Sequence, residues 1–209
     1  NYKMELLIQF MMGVSLAACA GLRAWLPLLV VGLLARTGQI DLGQSFSFLA
    51  SNPALIIFGL ATILELLADK IIALDNILDA IGTIMRPVAG ALIATGLISF
   101  DMDPTLSTII GIITGGGAAL GLHTGKAAIR AKSTALGMFH GGIGNTVLSV
   151  IEDIFTIAVI ALAILAPIIA FILTVAVVVL AVVLTVRIAR SGLKVFGRFR
   201  RTPRPTNQS

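Results

Sequence analysis

Long apolar stretches without a charged side chain constrain the fold of this chain more than any other feature. They cover residues 6–22, 42–64, 104–125, 133–151 and 154–186. A helix needs about 20 consecutive apolar residues to cross the hydrocarbon core of a bilayer, and several of these stretches reach that length. The sequence therefore predicts an all-α, polytopic transmembrane helical bundle.

Composition supports one membrane domain without a soluble module. Hydrophobic residues make up 57% of the chain and charged residues 12%, against about 25% charged residues in a typical soluble domain. We expect a transmembrane domain over residues 1–186 and a basic cytoplasmic tail over residues 187–209. The formal charge of +5 does not indicate nucleic-acid binding, because seven basic residues lie in that tail, where they suit anionic membrane lipids.

The positions of basic residues predict the topology. The positive-inside rule puts Lys126, Arg130 and Lys132 in the cytoplasm together with the tail. The stretch 154–186 would be roughly 50 Å long as one helix, so we expect Pro167 to divide it into a hairpin. The prediction is six spans in a bacterial inner membrane, with both termini cytoplasmic.

The spans can be assigned along the chain. The acidic link 101–104 fits the outer side, and the polar segment 37–52 reads as an outer loop. Six spans divide into two sets of three, which suggests a 3+3 inverted repeat with broken helices. The predicted spans cover about residues 6–35 (interrupted at 21–23), 53–74, 76–100, 104–126, 147–166 and 168–186.

The segment 65–86 breaks the apolar pattern and holds the first candidate site. On one continuous helix, Glu65, Asp69, Asp79 and Arg86 would fall within one arc. Ionisable groups inside a membrane are costly and commonly functional, so we expect Glu65 and Asp69 to form a cation or proton site, with Asp79 as a further binding residue and Arg23 or Arg86 as the counter-charge. The alternative is a set of ordinary ion pairs in a cytoplasmic loop.

Arg23 is isolated in an apolar stretch of about thirty residues and is flanked by Gly21 and Trp25. It either holds an anionic substrate or neutralises Glu65 and Asp69, at a helix break that lines a cavity. Alternatively, it reaches the membrane surface beside an interfacial Trp25.

The second half of the chain supplies secondary candidates, which are His123, Asn145, Glu152 and Asp153. A site made of His123, His140, Glu152 and Asp153 could suit a transition metal. Their spacing matches no standard ligand motif, so the metal stays unknown. Structural or proton-relay histidines are the alternative. Glycines recur every four residues in this half and allow close helix packing, which also makes a homo-oligomer conceivable.

Four strings in this chain resemble one protein family. They are Gly21-Leu22-Arg23-Ala24-Trp25-Leu26-Pro27-Leu28, Glu65-Leu66-Leu67-Ala68-Asp69-Lys70, Arg86-Pro87-Val88-Ala89-Gly90 and His123-Thr124-Gly125-Lys126-Ala127-Ala128-Ile129-Arg130. They resemble the DUF4126 family of small uncharacterised membrane proteins of bacteria and plastids. The resemblance implies an integral membrane protein and no particular mechanism.

The functional expectation is therefore a small transporter or channel for an ion or small solute. Signatures of common enzymes and nucleotide-binding sites are absent from the sequence, so we expect neither catalysis nor a cofactor. The alternative is a lipid-handling or structural membrane protein that does not transport.

Overall fold

The computed structural model describes residues 2–68, 72–98, 103–135 and 143–199. All regular structure in these ranges is helical, which confirms the all-α prediction. A 3-10 helix covers Gln44–Ala50 and a π-helical segment covers Ile112–Gly116. The α-helices are α1 (Tyr2–Cys19), α2 (Trp25–Arg36), α3 (Asn52–Ala68), α4 (Ile72–Ile98), α5 (Pro104–Gly111), α6 (Gly117–Ala135), α7 (Ile143–Leu165) and α8 (Pro167–Phe199).

Three helical segments are long and apolar enough to cross a membrane: Ile77–Ile98, Pro104–Arg130 and Pro167–Arg190. A fourth crossing is available if the 3-10 helix and α3, bent by 57° to each other, act as one. Helices α1 and α2 are apolar but shorter. Many large aliphatic side chains of α3 and α8 are exposed on the outside of the bundle. These features fit an integral membrane protein, while the predicted count of six spans is not confirmed.

The predicted hairpin at Pro167 is confirmed. Helix α7 ends at Leu165 and α8 begins at Pro167, because a proline cannot continue the hydrogen-bonding pattern of the preceding helix. The ring of Phe171, early in α8, lies 6.1 Å from the ring of Phe10 in α1. Ala181, further along α8, packs instead against Gly125 in α6.

The prediction of one interrupted span over residues 6–35 is wrong. The end of α2 turns back along α1, so that Leu34 lines the same cavity as Gln9 and Met12. The reversal occurs at residues 20–24, the α1–α2 turn. Three successive i→i−3 hydrogen bonds tighten the chain there, the last from Leu22 N to the Cys19 carbonyl oxygen. The two helices form a hairpin whose tip is this turn.

This hairpin changes the expected relation of the two termini. Glu5 in α1 lines a cavity with Ile164 and Pro167, at the opposite end of the bundle from Arg23. Helix α8 runs from Pro167 toward the end that holds Arg23 and continues through Arg187 to Phe199. The packing therefore does not support termini on the same side, and residues 200–209 lie outside the described part.

Glu65 and Arg86 lie on two different helices, as the predicted boundary between spans near residues 74–76 requires, so the arc of one continuous helix does not describe them. Helix α3 ends at Ala68 and α4 begins at Ile72. A straight helix would separate Glu65 from Arg86 by about 30 Å, yet an oxygen of Glu65 lies 3.8 Å from a nitrogen of Arg86. The chain must therefore turn back between them.

Small residues hold the centre of the bundle together. We call Ala17, Gly90, Gly115 and Ala119 the small-residue contact, where α1, α4, the π-helical segment and α6 meet. A Cβ atom added at Gly90 would lie 2.6 Å from the Gly115 carbonyl oxygen and 2.7 Å from Ala119 Cβ. Such short distances leave no room for a side chain, so backbones approach closely here.

The repeated glycines of the second half mostly serve packing within the chain. Gly111 and Gly115 face α4, whereas Gly121 and Gly125 face α8. Gly117 is exposed and has open space beside it. A homo-oligomer through glycine faces stays a prediction.

Candidate functional site

Charged side chains from five segments meet at one end of the bundle. We call this group the ionic cluster. Its side chains are mostly buried; those of Asp153 and Asp79 are the most accessible, with 25% and 32% exposure. The members are Arg23 in the α1–α2 turn, Glu65 in α3, Asp79 and Arg86 in α4, Lys126 and Arg130 in α6, and Glu152 and Asp153 in α7.

Arg23 is 1% exposed, so its side chain does not reach the surface of the bundle. Its Nη2 atom lies 2.6 Å from Asp153 Oδ1 and donates a hydrogen bond of 2.9 Å to Ser149 Oγ. It meets Glu65 through the main-chain oxygen, at 3.4 Å from Nη1. The 2.6 Å ion pair of Arg23 is therefore with Asp153, a partner that the sequence did not predict.

The carboxylate of Glu65 lies at the beginning of α2. Its Oε1 accepts a hydrogen bond from the main-chain N–H of Ala24 at 3.2 Å, and its Oε2 accepts one from Trp25 at 3.4 Å. The first N–H groups of a helix have no partner within the helix, and its N-terminus attracts negative charge. Glu65, from α3, thus fixes the start of α2.

Arg86 is shared by three neighbours. Its Nη2 lies 3.8 Å from Glu65 Oε1 and donates to Asp79 Oδ1 at 3.1 Å, while Nη1 lies 2.6 Å from His123 Nδ1. The guanidinium lies over Gly82, whose missing side chain leaves it room. Arg86 is 3% exposed, and its Nε has no hydrogen-bond partner in the described structure.

The hydrogen bonds around His123 assign its protonation. Arginine has only donors, so Nδ1 of His123 must accept from Arg86. The other nitrogen, Nε2, then carries the proton and donates to Thr83 Oγ1 at 3.2 Å. The Thr83 hydroxyl in turn donates to the main-chain oxygen of Asp79 at 3.0 Å. The network therefore assigns a neutral histidine with its proton on Nε2.

Helices α4, α6 and α7 are joined by the remaining pairs. Lys126 Nζ lies 2.6 Å from Glu152 Oε2. Arg130 donates to Asp79 Oδ2 at 2.8 Å and approaches Glu152 Oε2 at 3.7 Å. Lys126 and Glu152 also border an otherwise apolar cavity of about 240 Å³ between α6, α7 and α8.

Most of the predicted site residues converge in this one place, although they come from both halves of the chain. These are Arg23, Glu65, Asp79, Arg86, His123, Glu152 and Asp153. Asp69 lies outside the described residues. The backbone of Asn145 belongs to the first turn of α7, and its side chain is outside the described part.

Three participants were not predicted as site residues. In the sequence, Lys126 and Arg130 serve only as markers of the cytoplasmic side. The spacing of His123, Lys126 and Arg130 by three and four residues puts them on one helix face, and this signal could have identified the two bases. No comparable signal marks Ser149.

The described residues give no support for a metal centre. Within them, no group of three or more His, Cys, Asp and Glu side chains could hold a metal ion. His140, part of the metal hypothesis, lies outside the described part. The carboxylates of the ionic cluster face arginine and lysine nitrogens instead.

Comparison with known proteins identifies a family. A family model described as "Domain of unknown function (DUF4126)" matches residues 10–187, which is most of the chain, and confirms the resemblance found in the sequence. No curated protein and no solved structure matches the chain.

Proposed function

Because the chain belongs to the DUF4126 family, a domain family of unknown function, we propose a function from its geometry. The protein is an integral membrane transporter or channel for an ion or small solute. The observation that carries this proposal is the ionic cluster, which joins four helices and the α1–α2 turn through mostly buried charges.

Buried charges are a poor way to stabilise a bundle. Desolvation offsets most of the attraction within a buried ion pair, so a well-packed apolar pair is often as stable or more stable. Ionisable residues inside membrane proteins commonly mark ion and solute pathways. Stability in this bundle has another source in the small-residue contact, and the charges are therefore better explained by binding or movement.

The cluster is suited to closing one end of a pathway. Arg23 connects the α1–α2 turn to α7, and Arg130 connects α6 to both α4 and α7. The opposite end has a cavity of about 450 Å³ between the 3-10 helix and α5, lined partly by Gln44, Ser45 and Ser107. A solute would enter by this polar cavity and meet the closed ionic cluster.

The orientation follows from the basic residues. Lys126, Arg130, Arg187 and Arg190 are all near or beyond the ionic end, so the positive-inside rule favours this end in the cytoplasm of a bacterial inner membrane. Since α1 begins at the other end, its start is on the outer side. Termini on opposite sides require an odd number of crossings, so this orientation is not compatible with the predicted six, and the inverted repeat stays a prediction.

Cysteine labelling in intact cells tests the orientation. In a Cys19→Ser background, an impermeant thiol reagent should label Asp103→Cys and Glu5→Cys but not Ser209→Cys. Labelling of Ser209→Cys with protection of the other two would reverse the orientation. Protection of both Glu5→Cys and Ser209→Cys would show that the two termini lie on the same, cytoplasmic side.

Flux into liposomes tests transport. Purified protein is reconstituted, and uptake of protons, potassium, manganese, chloride and formate is followed with entrapped dyes or tracers. Transport predicts flux of at least one probe above protein-free liposomes, and its loss in a folded Lys126→Met/Glu152→Leu double variant. Equal flux in the double variant would disconnect the ionic cluster from transport, and no flux of any probe would contradict the proposal for these solutes.

A lipid-handling function is the second candidate because of one groove. It measures about 570 Å³, opens between α4 and the α5–α6 region, and is bordered by Pro87, Val88 and Gly116. Movement of a lipid headgroup would need a polar groove, whereas the walls of this groove are almost entirely apolar and suit an acyl chain. Transport of a solute is therefore the better supported proposal. Flipping of a fluorescent phospholipid in the same liposomes, without solute flux, would favour the lipid function.

A further inference from the structure

Two cavities meet near the end of the bundle opposite the ionic cluster. One is the apolar groove of about 570 Å³ between α4 and the α5–α6 region, and the other is the polar cavity of about 450 Å³ between the 3-10 helix and α5. Phe46 and Thr108 line both of them. The groove and the cavity therefore adjoin along these two residues.

The groove has the position and the depth of an acyl chain in one leaflet. It lies between two segments that are long and apolar enough to cross a membrane, Ile77–Ile98 and Pro104–Arg130. Its lining follows α4 from Thr95 to Pro87, which is about 12 Å of helix. One leaflet contributes about 15 Å of hydrocarbon, half of a core that is about 30 Å thick. An acyl chain of a single leaflet therefore matches the groove in length and in polarity.

A glycine leaves part of this groove open. Gly117 lines the groove and is exposed, and a Cβ atom added there would have no heavy atom within 4 Å. A larger side chain at this position would therefore enter the groove without displacing the packed interior.

The cavity beside the groove is polar and, over its described lining, uncharged. Gln44, Ser45 and Thr108 contribute to this lining. The Thr108 hydroxyl donates a hydrogen bond of 2.7 Å to the main-chain oxygen of Pro104, because a carbonyl oxygen can only accept. The Thr108 oxygen is then available to a ligand only as an acceptor. A headgroup that donates hydrogen bonds suits this cavity, whereas a charged headgroup would find no opposite charge in the described lining.

We propose that the groove and the cavity form one binding site for a membrane lipid with an uncharged, hydroxylated headgroup, of the monoacylglycerol or diacylglycerol class. The acyl chain lies in the groove, and a headgroup hydroxyl donates to Thr108. The lipid is bound and not moved across the membrane, because the apolar groove offers no path for its headgroup. A bound headgroup would restrict the cavity by which a solute enters, but binding itself does not depend on the proposed transport.

Photolabelling tests the site. The protein is placed in phosphatidylcholine nanodiscs together with a monoacylglycerol that carries a diazirine in its chain, and the crosslinked peptides are mapped by mass spectrometry. Crosslinks should concentrate in α4 and in residues 112–120. Monoolein should compete for this labelling, whereas methyl oleate, which has the same chain and no hydroxyl group, should compete weakly.

Variants test the groove and the cavity separately. Gly117→Leu fills the groove and should lose most of the labelling. Gly59→Leu, in α3, is the matched control, because an added Cβ atom there also meets open space, and it should keep the labelling. Thr108→Val keeps the size of the side chain but removes the acceptor, so competition by monoolein should weaken about fivefold while that by methyl oleate stays unchanged.

Equal competition by monoolein and methyl oleate would indicate ordinary boundary lipid and would overturn the proposal. Undiminished labelling in Gly117→Leu, or an equal loss in Gly59→Leu, would do the same. If Gly117→Leu does not fold, Leu120→Phe, which also lines the groove, takes its place with the same expected loss. Solute flux is measured separately in liposomes, so failure of the lipid site leaves the transport proposal standing.

Discussion

The small-residue contact and the ionic cluster share helices α4 and α6 but join their elements by opposite means. In the small-residue contact, Gly90 lies against Gly115 and Ala119 with no space for a side chain, so the helices have one close arrangement. In the ionic cluster, Arg86 is shared between Glu65, Asp79 and His123. The contact fixes a distance, while the cluster offers several partners to Arg86 and to Arg130.

This difference separates stability from mobility. Close packing gives dispersion energy only at one separation, because even a small gap loses much of each contact. A long charged side chain can exchange one partner for another over several ångströms. Arg130, for example, lies between Asp79 and Glu152. We therefore expect the centre of the bundle to be its fixed part and the ionic end to be the part that rearranges.

The largest effect is expected when one side of a buried ion pair is removed. Arg23→Ala removes a buried cation whose Nη2 lies 2.6 Å from Asp153 Oδ1 and should lower the free energy of unfolding by about 3 to 5 kcal/mol. Arg23→Ala/Asp153→Asn should recover part of this loss, which melting temperatures of the singles and the double will measure. Arg36→Ala, an exposed arginine beside Asn52, is the control and should change little.

The same comparison of single and double variants can be made with Glu65 in place of Asp153. Arg23 donates a hydrogen bond to the main-chain oxygen of Glu65 and has its 2.6 Å ion pair with Asp153, so the coupling between Arg23→Ala and Glu65→Gln should be smaller than the coupling with Asp153→Asn. A coupling larger than that measured with Asp153 would mean that the side chain of Glu65 is the true partner of Arg23.

A single methyl group should disturb the fixed part. Gly90→Ala puts a Cβ atom within 2.7 Å of its neighbours and should cost about 1 to 3 kcal/mol by overpacking. Gly117→Ala meets open space and should stabilise α6 slightly, since alanine favours helices over glycine. The two substitutions should therefore shift the melting temperature in opposite directions. An unchanged melting temperature in Gly90→Ala would mean that the centre adjusts more easily than its packing indicates.

His123 should have a smaller effect because it contributes hydrogen bonds and no charge. His123→Leu removes the acceptor for Arg86 and should cost about 1 to 2 kcal/mol. His123→Asn can place an amide oxygen near the position of Nδ1 and should recover part of that loss in thermal unfolding. If His123→Leu and His123→Asn unfold at the same temperature, the contact with Arg86 adds nothing to stability.

Local sequence signals predicted the elements better than their arrangement. Pro167 and Pro104 each begin a helix as expected, because a proline acts through its own backbone. The reversal at residues 20–24 was missed, since an apolar stretch looks the same whether the helix continues or turns back. The proximity of Arg23 to Asp153 could not be predicted, because 130 residues of chain separate them.

The smallest change in stability is expected from a double variant that removes a whole buried ion pair. Replacing both members of the pair between Lys126 and Glu152 with Met and Leu removes two buried charges, and similar replacements elsewhere are neutral or stabilising. Arg130 keeps Asp79 at 2.8 Å, so no cation is stranded, and the free energy of unfolding should stay within about 1 kcal/mol of its original value. Lys126→Met alone leaves Glu152 with Arg130 at 3.7 Å and should be less stable than the double variant. If the double variant unfolds at the lower temperature of the two, the ionic end is part of the stabilising core, and the distinction between a fixed centre and a mobile ionic end is wrong.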